Sequence, residues 1–357
     1  MGWRGHGARV MGNTGLTLET RIYSALNAVR SGEAVFNPAR ALDTLVAHQL
    51  ADLPMPGAGK TLQRWQALAA VAAFDLSLAK LYEGHTDALA ILGELKPDQV
   101  IAPGTWCVWA SEAPLAKVSI TSTVLDSVCL SGTKSWCSGA ATADYALLTA
   151  WDAEAQLPQL VWLPVRQHQI RVDPSLWKAV GMAASQSLEV QFDGAVAHRV
   201  GGVGAYLQRP GFWQGGAGVA ACWWGGANGI GQAFKQSMAA QPAEALSLFK
   251  LAGLGKVALA LQETAAVLRE SAAWIDAHPL AEASAVALAA RLSAEQCAKR
   301  VLDEVGKAMG ASPFCRDEKF AQAAADLPVF IRQSHAERDF VSLGERVYAA
   351  KAVIGVL

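Results

Sequence analysis

The spacing of hydrophobic residues changes twice along the chain. From about residue 16 to residue 95, alanine and leucine recur every three or four positions, which predicts packed helices. From residue 103 to about residue 200, short runs rich in Val, Ile, Thr and Trp alternate with Gly, Pro, Asp and Ser, a pattern typical of an antiparallel sandwich or barrel. Helical periodicity then returns from residue 210. The sequence therefore predicts an α+β protein with an N-terminal helical domain (1–102), a central antiparallel β-domain (103–205) and a C-terminal helical bundle (206–357).

Composition narrows the classes of function. Hydrophobic residues make up 52% of the chain, and the 30 lysines and arginines balance the 31 acidic residues. No overall field draws such a chain to nucleic acid or to anionic lipid, so a small or polar organic substrate is expected. The six cysteines form no CxxC pair and no cluster at zinc spacing, and the N-terminus lacks the apolar run of a signal peptide. We expect reduced thiols, no metal and a cytoplasmic protein.

An uncharged stretch, GFWQGGAGVAACWWGGANGIGQAF (211–234), is long enough to cross a bilayer. It contains eight glycines together with Gln214, Asn228 and Gln232. That composition favours a helix packed on all sides within a protein, and no membrane span is expected.

The sequence GAGKT (57–61) is similar to a phosphate-binding loop. A Walker motif needs a glycine five residues before its Gly-Lys pair, where this chain has Pro54, and the loop follows a predicted helix instead of a strand. Nucleotide binding at this loop is therefore not expected.

Three segments carry a resemblance to one family. They are LSGTKSWCSGAATADYALLTA (130–150), KAVGMAASQSLEVQFDGAVA (178–197) and the glycine- and alanine-rich helix from Gly211. Together they resemble the acyl-CoA dehydrogenase superfamily. The resemblance implies an FAD cofactor and a homodimer or homotetramer assembled through the C-terminal bundle. The family's Arg-Phe segment, which reaches the FAD of a neighbouring subunit, is missing from residues 241–263.

The resemblance also implies which residues contact the cofactor. Trp136 would lie against the flavin isoalloxazine ring, and Ser138 would be the hydrogen-bond partner near N5. The second flavin-facing segment of the family is similar to WASEAPLAKV (109–118), which supplies Trp109 and Ser111 but lacks the family's Gly-Ser-Asp. The alternative is that Trp136 is a core residue of the sheet.

The position of the catalytic base departs from the family pattern. Dehydrogenation of an acyl thioester needs a carboxylate to remove the α proton while the hydride passes to flavin N5. The resemblance puts Ser334 where most members have glutamate, and the helix after the β-domain, which carries the base in other members, has no Asp or Glu between residues 205 and 243. His335 and Glu337 are the nearest candidates. The alternative for this segment is a solvated, salt-bridged helix end.

Three functions fit these residues. The first is an FAD-dependent oxidoreductase that catalyses α,β-dehydrogenation of an acyl thioester; its electron acceptor cannot be read from the sequence. The second is a flavin-dependent monooxygenase on the same fold, favoured by the missing glutamates and by His335. The third is a family member that keeps the fold without turnover. His85, in the N-terminal helices, is expected to be a buried packing residue.

Overall fold

A computed structural model describes residues 15–98, 100–113, 116–124, 127–239 and 247–350. Four helices come first, seven strands follow, and eight helices complete the described chain. The helices are α1 (Leu18–Ser31), α2 (Pro38–Ala47), α3 (Thr61–Phe74), α4 (Leu76–Leu95), α5 (Ala205–Gln208), α6 (Gly211–Gly216), α7 (Gly218–Ala239), α8 (Leu248–Ala277), α9 (Ser284–Met309), α10 (Ser312–Arg316), α11 (Glu318–Phe330) and α12 (Glu337–Ala349). The strands are β1 (Trp106–Trp109), β2 (Val118–Val124), β3 (Ser127–Cys137), β4 (Tyr145–Asp152), β5 (Leu157–Pro164), β6 (Ile170–Asp173) and β7 (Leu188–Arg199). This order confirms the predicted α+β architecture.

The strands close into a barrel. Neighbouring strands run β4, β2, β3, β7, β5 and back to β4, with β1 added beside β4 and β6 beside β7. Alternate residues of the strands fill the interior, as the buried positions of β7 show. Closure leaves few free strand edges, and the rim of the barrel is where residues can be presented to a ligand.

The β-domain is mainly antiparallel, as predicted, but it also contains parallel pairings that the sequence did not predict. β1 pairs with β4 in parallel, from Trp106 opposite Tyr145 to Trp109 opposite Leu148, and β2 meets β4 in parallel at Ser119. The β2–β3 hairpin separates β1 from β4 along the chain, so β4 returns beside β1 in the same direction. A connection of that length permits a parallel pairing, which a short turn cannot make.

The N-terminal and C-terminal helices share one hydrophobic core. Its centre is the contact between α3 and α7, where the glycines of α7 let the two backbones approach. A Cβ atom at Gly225 would lie 2.4 Å from the carbonyl oxygen of Ala69, whereas one at Gly255 of α8 would meet no atom within 4 Å. The glycine-rich stretch is therefore packed inside the protein, as its composition predicted.

The loop similar to a phosphate-binding motif binds the carboxylate of Asp276, a residue of the same chain. The backbone N–H groups of Gly59 and Thr61 donate to the Asp276 carboxylate at 2.9 and 3.0 Å, and the Thr61 hydroxyl donates at 2.6 Å. Gly57 and Gly59 both adopt positive φ angles, which a turn of this shape requires. The loop thus ties α3 to the end of α8.

His85 is buried between α4 and the barrel, where its Nδ1 accepts a hydrogen bond of 3.0 Å from the Trp106 backbone. Burial lowers its pKa to about 4, so the ring is neutral at pH 7. All six cysteines are free; four are buried, Cys129 is half-buried and Cys315 is exposed. Within the described residues, no three His, Cys, Asp or Glu side chains are grouped to hold a metal ion.

We predict that Gly225→Ala destabilises the protein by about 2 kcal/mol or more, because the added methyl group overlaps the α3 backbone and packed helices cannot move apart without cost. Gly344→Ala, in α12, is the matched control, since its methyl group would meet no atom within 4 Å and alanine is the better helix former by up to about 1 kcal/mol. Urea unfolding of both variants measures the difference. Equal effects of the two substitutions would show that the α3–α7 contact is looser than described.

Candidate functional site: an aromatic wall beside a row of hydroxyls

Trp136 lies on the outside of the barrel in an unusual backbone conformation. Its φ angle is +63°, and 60% of its surface is exposed. A left-handed conformation costs a bulky residue about 1–2 kcal/mol, and exposing an indole ring forgoes the gain from burying it. Strain and exposure at the same residue point to a functional position. The alternative that Trp136 is a core residue of the sheet is not supported.

A β-bulge produces this conformation. The pairing of β3 with β7 stays in register from Ser131 opposite Asp193 to Lys134 opposite Val190, and it resumes with Cys137 opposite Leu188. The bulge leaves more residues on β3 than on β7, so the strand bends and Trp136 is turned outward. Trp177 stands edge-on to the exposed indole, with ring centroids 6.4 Å apart.

Buried contacts on both sides of Trp136 hold the bulge in place. The Lys134 amino group enters the barrel, where it donates to Glu112 Oε1 at 2.9 Å, to the Thr149 hydroxyl at 2.8 Å and to the Thr149 carbonyl at 3.0 Å. On the other side, the Trp109 indole N–H donates to the Ser138 carbonyl at 3.1 Å. The strand is thus anchored two residues before Trp136 and two residues after it.

Three serine hydroxyls form a row next to Trp136. Ser138 Oγ lies 2.8 Å from Ser187 Oγ, and Ser187 Oγ lies 3.0 Å from Ser185 Oγ. Ser185 donates onward to the Met182 carbonyl at 2.8 Å. Ser138 and Ser185 are buried, and Ser187 is half-buried. We call the rings of Trp136 and Trp177, together with the neighbouring Ser138, the aromatic wall. We call Ser138, Ser187 and Ser185 the hydroxyl row.

Helix α11 docks on the loop that carries this row. The Asp326 carboxylate accepts hydrogen bonds from the Met182 backbone N–H and from the Gln322 side chain. A Cβ atom at Gly181 would overlap the backbone of Ala325 on the same helix, so the loop and the helix pack closely. The loop that carries the row is therefore fixed to α11, the helix that leads into residues 331–336.

That segment contains the predicted catalytic residues, and it joins α11 to α12 with a break in the helical geometry. A short 3₁₀ turn (331–333) ends at Ser334, and Ala336 adopts a φ angle of +49° before α12 begins. The buried Asp339 carboxylate organises this C-terminal break (334–336), since it accepts from the Ser334 hydroxyl at 3.3 Å and from the His335 backbone N–H at 3.2 Å.

The three predicted catalytic residues differ in how far their side chains are exposed to solvent. Ser334 is buried, Glu337 is exposed, and 71% of the His335 side chain is exposed, with Nδ1 3.4 Å from Asp339 Oδ1. Their catalytic roles stay predictions. Of the predicted cofactor residues, Trp136 and Ser138 lie together on the wall, and Ser111 is exposed just after β1. Trp109 is 1% exposed inside the barrel, so it has no surface for a ligand and acts only by holding Ser138.

Five charged residues of α3, α4, α9 and the segment before α6 lie within range of one another's charges, namely Arg64, Glu83, Asp87, Arg209 and Arg291. We call this group the polar recess. Asp87 keeps part of its surface accessible, yet burial raises the pKa of its carboxyl, with the charge of Arg209 acting against the rise. Arg209 is paired with Glu94 at 2.6 Å. Arg291 donates to the Gln333 carbonyl at 3.2 Å, which links the recess to the C-terminal break.

Two cavities border α4. A narrow cleft beside Ser138 and Gly139 has room for about 20 Å³, one water at most, so the wall is closed on that side. An open groove of about 660 Å³ lies between the start of α1, residues 49–55 and the opposite face of α4. Neither cavity includes Trp136, so the wall faces outward.

Sequence reasoning missed Ser187, Ser185 and Asp339. Ser187 lies 49 residues from Ser138 and meets it only because β3 and β7 are paired. The Ser-Gln-Ser run immediately before β7 was the available signal, because it places two hydroxyls only two residues apart. Asp339 stands four residues after His335, a spacing from which a side chain can bond a local backbone N–H.

Solved structures share this fold over nearly the whole chain. Dibenzothiophene monooxygenase TdsC from Paenibacillus sp. is 19% identical, with a TM-score of 0.76 over 93% of this chain and 96% of its own. KijD3, solved with FMN and dTDP-3-amino-2,3,6-trideoxy-4-keto-3-methyl-D-glucose, is 17% identical, with a TM-score of 0.79 over 97% and 96%. Methanesulfinate monooxygenase MsuC from Pseudomonas fluorescens is 18% identical, with a TM-score of 0.74 over 95% and 98%.

The chain has the acyl-CoA dehydrogenase-like fold. No family model matches it, and no curated protein matches it. At these identities the structural similarity establishes the fold and leaves the activity open. The similar structures named here include two monooxygenases, and TdsC and KijD3 have both been solved with FMN, where the sequence led us to expect FAD and a dehydrogenase.

We predict that Trp136 can be removed at little cost to stability. The free energy of unfolding of Trp136→Gly should lie within about 1 kcal/mol of the native value. Trp136→Ala should be less stable than Trp136→Gly by about 1 kcal/mol, because glycine relieves the left-handed strain and alanine does not. Trp109→Ala, the same residue type buried in the barrel, should lose about 3–5 kcal/mol. Guanidinium unfolding distinguishes these values, and a loss of more than about 2 kcal/mol in Trp136→Gly would mark Trp136 as a core residue.

Proposed function

We propose that the protein is a flavin-dependent monooxygenase that binds FMN against the aromatic wall and oxygenates a small polar substrate. The observation that carries the proposal is the C-terminal break. At the position where the resemblance places the dehydrogenase glutamate, the chain has Ser334, whose hydroxyl donates to the Asp339 carboxylate. That carboxylate also accepts the His335 backbone N–H, so it is engaged in holding the break.

The wall fits the flat ring of a flavin. The exposed Trp136 indole offers an aromatic face of the kind that stacks on a planar heterocycle, and Trp177 fixes it from the side. The Ser138 oxygen beside it can hydrogen-bond to a ring nitrogen. The backbone strain at Trp136 is understandable if the ring has a ligand to bind, since strain is retained where the surrounding structure and function require it.

The polar recess supports a polar substrate over an acyl chain. An acyl chain needs an apolar channel, but Arg64, Glu83 and Asp87 place three ionisable groups between α3 and α4. Burial lowers the pKa of Arg64, and the negative charges of Asp87 and Glu83 partly offset that effect. Burial raises the pKa of the Asp87 carboxyl, and the positive charges near it, that of Arg209 first, only partly offset this effect. A partly buried carboxylate whose charge is only partly offset calls for a ligand that donates hydrogen bonds.

FMN is favoured over the FAD that the sequence suggested. The Arg-Phe segment that in the family reaches the FAD of a neighbouring subunit is missing from residues 241–263. TdsC and KijD3 have both been solved with FMN. A cofactor without the adenosine half would not need that contact.

The chain's own residues would bind and orient the reactants. Trp136 and Ser138 would hold the ring, Asp87 would orient the substrate, and Asp339 would position the break that carries His335, whose exposed ring can take up or release a proton. When bound, reduced FMN supplies two electrons with which O₂ is split, so that one oxygen atom enters the substrate and the other leaves as water.

The decisive experiment uses the purified full-length chain and three additions. Anaerobic titration with FMN and with FAD, each oxidised and photoreduced, should show binding of FMN and much weaker binding of FAD. Mixing the reduced-FMN complex with O₂ should then give O₂ consumption that depends on the protein. Acyl-CoAs added anaerobically to the oxidised complex should leave the flavin absorbance unchanged.

Each other outcome supports another function. Bleaching of bound flavin by an acyl-CoA would establish the dehydrogenase reaction and overturn the monooxygenase. Failure of the chain to bind any flavin, with the fold intact by circular dichroism, would favour the non-catalytic family member. Trp136→Gly is the matched variant, because it should keep the fold and lose FMN binding by at least tenfold.

We also propose that the protein is a homo-oligomer whose interface includes α8. Helix α8 is long and apolar enough to span a membrane, but the core helices of soluble proteins meet the same criterion. In its most apolar 18-residue segment the mean hydropathy is 1.3, and only 28% of that segment is buried. It packs on α9 and α7. Its remaining surface carries exposed apolar side chains, namely Leu248, Phe249, Leu251 and Leu259. A second copy of the same chain would bury these side chains, as the family resemblance implies.

We predict that Phe249→Lys combined with Leu259→Glu converts the oligomer to a monomer or weakens its association at least tenfold, because both charges would be buried in the interface. Val35→Lys, at a position that is 81% exposed between α1 and α2, is the control and should leave the oligomer unchanged. Light scattering after size-exclusion chromatography reports the mass. A native protein that is monomeric at tens of micromolar concentration would overturn this interface.

A further inference from the structure

The open groove beside α4 takes no part in the proposed function. Its volume of about 660 Å³ lies in the range of pockets that hold small organic ligands. It is bordered by the start of α1, residues 49–55, the residues around the start of α3, and one face of α4. We call it the α1–α4 groove.

Buried hydrogen bonds fix the wall that residues 49–55 form. The hydroxyl of Tyr82, which is 0% exposed, donates to the Leu50 carbonyl at 2.6 Å. The guanidinium of Arg64, which is 3% exposed, donates to the Pro54 carbonyl at 3.3 Å. Because Tyr82 belongs to α4 and Arg64 to α3, the wall is tied to both helices. A groove with fixed walls needs little ordering when a ligand binds.

The lining of the groove combines apolar side chains with exposed cations. Its half-buried apolar side chains are Leu18, Leu53, Pro54, Met55 and Leu89. Arg21 and Lys60 add two exposed positive charges, and Asp52 adds one exposed negative charge, so the lining carries one net positive charge. This combination matches a ligand that has an apolar body and an anionic group.

Gln49 is a second sign of a ligand in this groove. At the end of α2, the Leu50 N–H donates to the Leu45 carbonyl at 2.8 Å and the Gln49 N–H donates to the Val46 carbonyl at 3.0 Å, the pattern of a helix C-terminus that favours glycine. Gln49 has the left-handed φ angle of +55° that this ending requires. Instead of glycine, the chain has an exposed carboxamide here, and it lines the groove. Backbone strain of this kind is concentrated at ligand-binding positions.

We propose that the α1–α4 groove is a second binding site, which takes a small amphipathic organic anion, namely an alkyl or aryl carboxylate. The apolar body would cover the half-buried side chains of the groove. The carboxylate would be paired by Arg21 and Lys60, and the Gln49 carboxamide can donate a hydrogen bond to it. The site does not depend on flavin, because the groove does not include Trp136.

The test titrates the purified full-length chain with two probes of equal chain length, octanoate and octylammonium, by isothermal titration calorimetry at low ionic strength. Octanoate should bind at least tenfold more tightly, because Arg21 and Lys60 attract one head group and repel the other. Added salt should reduce this preference, since both cations are exposed. Arg21→Glu combined with Lys60→Glu should reverse it. Equal binding of the two probes, or no saturable binding of octanoate, would overturn the proposal.

Two substitutions on α3 locate the site. Gln63 and Gln66 are both exposed, and of these two only Gln63 lines the groove. Gln63→Trp should weaken octanoate binding at least tenfold by filling the groove, whereas Gln66→Trp should bind octanoate as the native protein does. FMN binding should be unchanged in both variants. If Gln63→Trp binds octanoate normally, the probe lies elsewhere and the assignment to this groove is wrong.

Gln49→Gly separates ligand binding from stability. Glycine adopts the left-handed conformation without strain, so the midpoint of urea unfolding should rise. Loss of the carboxamide should at the same time weaken octanoate binding about threefold or more. A purely structural role for Gln49 would not produce these opposite changes, and an unchanged octanoate affinity would overturn its assignment as a ligand contact.

Discussion

The Lys134 amino group, held inside the barrel by Glu112 and Thr149, is the contact on which the site depends. A long cationic side chain is buried there because three oxygens at 2.8–3.0 Å take its hydrogen bonds. With Lys134 pointing inward and Cys137 back in register with β7, the bulge between them turns Trp136 outward. The exposed indole, the nearby serines and the docking of α11 all follow from this one anchored strand.

The site joins three parts of the chain that are remote in sequence. β3 supplies the wall, the loop before β7 supplies the other two hydroxyls, and α11 holds that loop through Asp326. The C-terminal break follows directly from α11, and Arg291 ties it to the polar recess. A planar ligand, a polar substrate and a proton-transferring side chain could therefore act close together.

The sequence predicted the fold because two changes in hydrophobic period separate three regions, and periodicity depends only on local geometry. It also selected Trp136 and Ser138, through resemblance to a family motif. The sequence did not predict that β1 pairs in parallel with β4, or that Ser138 forms a hydrogen bond with Ser187. Pairing between distant segments is set by tertiary structure. The break at Ser334 was also missed, since Asp339 draws the preceding hydroxyl and backbone N–H out of helical geometry, an effect that propensity does not register.

A crystal structure of the protein grown with a saturating concentration of FMN tests the central claim most directly. The account predicts the isoalloxazine ring stacked on Trp136, with N5 within about 3 Å of Ser138 Oγ. An FMN ring bound elsewhere, for example in the groove between α1 and α4, would contradict it. So would a structure in which Trp136 turns into the barrel and leaves no flat surface for the ring.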